Sequence, residues 1–220
     1  MTRDSGNMSR DGERGRRGTA LLRCSLFALA VLGVSACGGP AAPPQPGQNR
    51  GVAPDLRGLR VIVLPVQLIV GVPGDVNAEL AFTLRDRGRE VTWVFEEEIE
   101  QVLARSPAIQ TGTRGLQVGA FLQAEVQRVG DPLFGQLRRM GALMEADMVL
   151  LPVQASFEAN QAIEGAAPRV RFTVALIVPR TGQVRWFGIE EGGDFPQRDP
   201  RGLASAVENL ARTMLWYAGN

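Results

Sequence analysis

Val174-Ala-Leu-Ile-Val-Pro-Arg-Thr-Gly-Gln-Val-Arg-Trp186 reads as a strand, a tight turn and a returning strand. β-branched and aromatic residues flank Pro179-Arg-Thr-Gly182, and a glycine at the end of such a turn supplies the positive φ that a hairpin needs. The spacing predicts strands over 169–178 and 183–190. Upstream, Asp147-Met-Val-Leu-Leu-Pro-Val-Gln-Ala-Ser-Phe157 is a third apolar run of strand length. Downstream, Leu203, Val207, Leu210, Met214 and Tyr217 recur at helical spacing, so a helix over 201–217 closes the chain.

Working back towards the start, Arg60-Val-Ile-Val-Leu-Pro-Val-Gln67 is a buried-strand pattern broken by Gly71-Val-Pro-Gly-Asp75. Asp75 is placed to cap a helix running to Asp86, with Val76, Leu80 and Leu84 on one face and Gly88 as its stop. Glu90–Val94 is a second strand. Ile99, Val102 and Leu103 follow Phe95 at amphipathic spacing, and Ser106-Pro107 ends that helix. The segment 108–130 is punctuated by glycines and hints at one short helix through Val118, Leu122 and Val126. Asp131-Pro132 starts another helix, with Leu133, Leu137, Met140 and Met144 as its buried stripe. The order is β α β α, insert, α β β β α. It describes a single α/β domain over 58–220, a two-layer or three-layer sandwich whose mixed sheet carries a late antiparallel meander.

What precedes residue 58 is different in kind. Residues 1–36 hold six arginines against three acids, a net of +3, whereas 37–220 hold eighteen against twenty, a net of −2. The basic end leads into Ser25-Leu-Phe-Ala-Leu-Ala-Val-Leu-Gly-Val34, shorter than the roughly 20 apolar residues of a membrane-spanning helix. A basic region, a short apolar run and small residues after it describe a signal peptide over 1–36, begun at Met1 or Met8. Val34-Ser35-Ala36-Cys37 then resembles a bacterial lipobox. That resemblance implies cleavage before Cys37 and lipid attachment to it, with palmitate-like acyl chains holding the protein to the membrane. An ordinary cleaved signal with a chance cysteine is the competing reading. Gly38 after the cysteine resembles outer-membrane sorting, with the domain facing the periplasm, if the host is Gram-negative. Residues 37–57, rich in Pro and Gly, are expected to be a tether reaching on the order of 60 Å.

Composition excludes much chemistry. All 24 basic residues are arginine, there is no histidine, and the chain has two cysteines, of which Cys24 lies in the removed segment. No His-based triad, Cys/His zinc site or disulfide framework can be built from this set. The near-balanced charge also argues against a nucleic-acid partner.

Three further segments, together with the hairpin, carry a family resemblance. They are the first strand ending in a turn, Val91-Thr92-Trp93-Val94-Phe95-Glu96-Glu97-Glu98-Ile99, and Glu145-Ala146-Asp147-Met148-Val149-Leu150-Leu151. Over most of 60–217 the chain resembles an envelope family. It includes the amino-terminal domain of the Tol-system propeller protein, lipoprotein activators of penicillin-binding proteins and the curli-secretion lipoprotein. Segment 108–130 departs from that pattern. No spare pair of membrane hairpins is present, so the resemblance implies an accessory lipoprotein that binds an envelope protein partner, and not a channel. A tethered module for a small ligand or a cell-wall glycan is the alternative.

No residue is expected to be catalytic, to bind a cofactor or to hold a metal; Cys37 is the one site residue. Glu96-Glu97-Glu98 with Glu100 fit the first turn of a helix, where its dipole favours acids. Glu190-Glu191-Gly192-Gly193-Asp194 lacks the spacing of a calcium loop. Gly71-Val72-Pro73-Gly74 lacks the lysine and spacing of a phosphate loop. Ser106 and Ser156 have no histidine to activate them. Trp93, Trp186 and Trp216 are expected in packing rather than on a recognition face.

Overall fold

The computed structural model describes residues 50–106, 111–123, 126–159 and 164–215. One open mixed sheet runs through the middle. Its strands are β1 (Arg60–Val63), β2 (Leu68–Val70), β3 (Thr92–Val94), β4 (Met148–Glu158), β5 (Arg169–Val178) and β6 (Gln183–Glu191). The order is β3-β1-β4-β5-β6, with β2 also paired to β4. β1 lies parallel to both β3 and β4, and β4, β5 and β6 form the antiparallel meander.

Alternation along the strands assigns the two faces. Val61, Val63, Leu150, Val174, Leu176 and Trp186 face one core, shared with helices α1 (Val76–Arg87) and α5 (Pro200–Met214). Ile62, Leu64, Val149, Leu151, Ala175 and Ile177 face a second core. It is shared with α2 (Glu96–Ala104), α3 (Gly119–Gln123) and α4 (Leu133–Leu143). Of the two layerings that the sequence allows, the protein is therefore the three-layer sandwich. Trp186 and Phe172 are among the largest fully buried side chains.

The helix ends follow their caps. Asp75 accepts from the backbone N–H groups of Asn77 and Ala78 at 3.1 and 3.0 Å, and Asp199 caps α5 through Arg201 N at 2.9 Å. Hydrogen bonds from the side chain and backbone of Arg201 hold the Asp199 carboxyl below the usual carboxylate range. Gly182 closes the β5–β6 turn with φ of 70°.

Beyond shifts of a few residues at β3 and α5, with Tyr217 outside the described residues, two boundaries differ from the sequence reading. The first strand is not continuous over 60–67. Pro65 has no N–H to give, and the amide of Val66 turns aside to Asn77 Oδ1 at 2.8 Å. The ladder resumes with Gln67 N bonded to Pro152 O at 3.0 Å, and β2 emerges as a separate short strand.

The folded unit also reaches back into residues assigned to the tether. Ala53 and Leu56 are buried in the first core. Arg50 and Phe187 exchange two backbone hydrogen bonds, at 2.9 and 3.0 Å, on the outer edge of β6. The folded unit thus includes residues at least as far back as Arg50. Gly51 makes the turn into the domain at φ of 81°, and a Cβ there would sit 2.5 Å from Arg185 O. Gly51→Val is expected to cost about 1–3 kcal/mol. A lower urea midpoint and faster proteolysis around residues 50–52 would register that loss.

Candidate functional site

β1 and β3 are adjacent and parallel, yet the chain leaves them in opposite directions. From β1 it proceeds through β2 to α1 on one face; from β3 it turns at Phe95 directly into α2 on the other. In α/β sheets a crevice opens outside the carboxyl ends of strands that part in this way. One does so here, with a volume of about 670 Å³. Its floor is Val63, Leu64 and Pro65, and its walls come from α1, the start of α2 and Arg114.

The side chains in it are positioned by local structure. Asp75 and Asn77 sit at the first turn of α1, where Asn77 is held by the diverted Val66 amide. The guanidinium of Arg85 lies 4.3 Å over the Phe95 ring. Phe95 in turn leans on Trp93, whose indole N–H donates to Gly88 O at 2.8 Å. Glu96 receives a bidentate pair from Arg114, both bonds at 2.7 Å. Hydrogen bonding to Glu96 pushes the Arg114 guanidinium above its ordinary pKa against partial desolvation, and the charges of Glu96, Glu100 and Asp75 add to the effect. Phe82 lines the crevice with 68% of its surface exposed. A large aromatic left in water beside an arginine stacked on a second aromatic is the composition of a recognition surface. Among the described residues the lining contains no serine, threonine or cysteine.

The residues singled out in the sequence are dispersed. Cys37 and Trp216 lie outside the described residues. Of the acids on α2, Glu96 pairs with Arg114, Glu98 with Arg60 at 3.2 Å, and Glu100 accepts from Thr113 Oγ1 at 3.5 Å. Glu96 and Glu100, one turn apart, converge on Thr113 Oγ1, Glu98 turns away to Arg60, and of the four only Glu96 and Glu97 line the crevice. Glu191 belongs to β6 and pairs with Arg171 at 3.3 Å. Gly71–Gly74 is the turn into α1. Ser106 ends α2 with its amide on Leu103 O, and Ser156 is buried in the sheet, donating to Glu158 at 2.7 Å. Trp186 is core and Trp93 is half-buried against Gly88. Among the described residues no group of three His, Cys, Asp or Glu is placed to hold a metal ion, and no helix is long and apolar enough to cross a membrane. Phe82, Arg85 and Arg114 are additions from the structure. An aromatic at 82, off the Val76–Leu80–Leu84 stripe of its own helix, was the available signal.

No protein-family model matches the chain, and no curated protein does. Solved structures do. The chain is similar to a PelC L103M dodecamer from Paraburkholderia phytofirmans, with 17% identity over 77% of this chain and 98% of that one, at a TM-score of 0.42. It is similar to the LpoB C-terminal domain from Salmonella enterica, with 17% identity over 65% and 88%, at 0.40. It is also similar to lipoprotein GNA1162 from Neisseria meningitidis, with 18% identity over 66% and 87%, at 0.36.

Proposed function

We propose that the chain is a non-catalytic lipoprotein of the cell envelope, anchored through Cys37, which binds a protein partner in the crevice between β1 and β3. Residues 1–36 are its signal peptide, and in a Gram-negative host it sits in the outer membrane facing the periplasm. The observation that carries the reading is the exposed Phe82 beside Arg85 stacked on Phe95. Aromatic and arginine anchors dominate the energetics of protein interfaces. The route of the chain supports it too. The chain enters at the outer edge of β6, while the crevice opens at β3 and β1 on the other side of the sheet, four strand spacings or about 19 Å away. A partner in the crevice therefore does not compete with the segment at Arg50.

Phe82→Ala tests this reading. As the side chain is exposed and off the core stripe, folding stability is expected to stay within about 0.5 kcal/mol of the parent. Recovery of the partner by in-cell crosslinking falls, with affinity down about 30-fold for a hot spot of roughly 2 kcal/mol. Unchanged recovery of a stoichiometric partner would move the interface elsewhere.

A glycan-binding module has one observation in its favour. On the second face, the far half of the sheet leaves a polar groove of about 220 Å³ lined by Gln154, Glu158, Arg171 and Thr173. Saturable binding of cell-wall fragments, with no protein captured, would select that reading.

A further inference from the structure

The register between β4 and β5 shifts in mid-strand, and the shift decides what the second face offers. Pro152 pairs with Val174, but the next pair is Gln154 with Thr173, so Val153 is an extra residue on β4. A one-residue bulge turns every later side chain to the opposite face. Val153 packs in the second core, whereas Ala155 and Phe157 pass to the first. Gln154, Ser156 and Glu158 come instead to the second face, in a row beside Arg171 and Thr173 of β5. This row makes the polar groove of about 220 Å³. Arg171 is fixed in it, 15% exposed, with Nη1 bonded to Glu158 and Nη2 to Glu191. Thr173 is 7% exposed, yet neither its hydroxyl nor the Gln154 amide makes a hydrogen bond among the described residues. Polar groups held in a groove without a partner are what a ligand can satisfy.

We propose that the groove holds one ring of a neutral glycan. The inference goes beyond the crevice, and it rests on the reading of this groove as a glycan site. Charge selects the ligand. The lining carries one carboxylate and one guanidinium bonded to each other, so an incoming ion of either sign meets a like charge as near as an opposite one. Glu158 accepts only, Arg171 donates only, and Thr173 and Gln154 do both, which suits adjacent sugar hydroxyls, themselves donors and acceptors. Phe121, Leu122 and Ile189 supply apolar surface for the C–H face of the ring. An extended peptide is not matched here, since the main-chain groups of β4 and β5 are taken up by their neighbouring strands. The volume lies below the roughly 300–1,000 Å³ of sites that enclose a larger ligand, so one ring enters and the rest of the glycan stays outside.

Tetrasaccharide titrations test it, with the full chain in a detergent that has no sugar headgroup. The probes are neutral tetramers of glucose, mannose, galactose and N-acetylglucosamine, with tetramers of galacturonate and glucosamine as charged counterparts. A neutral tetramer is expected to bind saturably, with NMR saturation transfer concentrated on one ring. Thr173→Val and Gln154→Leu are each expected to weaken that binding about fivefold, the loss of one net hydrogen bond, with melting temperatures unchanged. Phe82→Ala, in the crevice, is expected to bind the sugar as the parent does. No binding of any tetramer overturns the proposal and the glycan reading together. Tighter binding of a charged tetramer overturns the proposal and leaves the glycan reading standing. Affinity unchanged in both groove variants, or lost in Phe82→Ala, overturns the groove as the site.

Discussion

Cys37→Ser is expected to abolish incorporation of labelled fatty acid and to leave a precursor longer by the signal peptide, while Cys24→Ser changes neither. The effect is all-or-none, since a serine hydroxyl does not replace the thiol that the lipobox resemblance designates for lipid transfer. Its energetic meaning lies in chain number. Each buried methylene contributes about 0.8 kcal/mol, a single acyl chain holds only marginally, and two or more hold durably. Metabolic labelling followed by membrane fractionation reads both results. Unaltered labelling and processing in Cys37→Ser would remove the anchor from the proposed function, and leave the crevice untouched.

Trp186→Ala is the largest stability change expected in the domain. The residue pairs with Leu176 across β5–β6 and is 1% exposed in the core shared with α1 and α5. Truncating a fully buried aromatic costs about 3–5 kcal/mol from lost transfer energy and the cavity left behind. For a domain of this size, that lowers the melting temperature by roughly 6–20 °C. Thermal unfolding monitored by circular dichroism checks it. A shift under 2 °C would mean that the ring is not in the core. The contrast with Phe82→Ala is the useful part: one aromatic is buried in the core, and the other is the exposed contact of the proposed interface.

The meander and α5 were legible because each is decided locally. Strand alternation on either side of Thr181-Gly182 fixes the hairpin, and a stripe every three or four residues fixes the helix. Layering was partly legible: a sandwich of two or three layers could be read, but not which helix covers which face. The crevice was not legible at all. It is assembled from Asp75, Phe82, Phe95 and Arg114, which no periodicity links, and it exists only because the chain leaves β1 and β3 in opposite directions. The break between β1 and β2 was hidden for a related reason. Pro65 sits inside an unbroken apolar run, and the group that captures the Val66 amide, Asn77, lies on a helix. At residues 50–57 composition misled, since a Pro- and Gly-containing stretch can join the fold when one residue, Arg50, pairs with the edge of β6 and two apolar side chains, Ala53 and Leu56, find the core.

The backbone pair between Arg50 and Phe187 bears on how such a protein can be recombined. Any segment joined ahead of this sandwich by gene fusion has to leave residues 50–57 in place. A junction placed at 58, where the composition changes, would strip the cover from β6 at Phe187 and empty the sites of Ala53 and Leu56. The inherited unit is thus the sandwich together with the last stretch of its apparent stalk, and a working graft has to carry both.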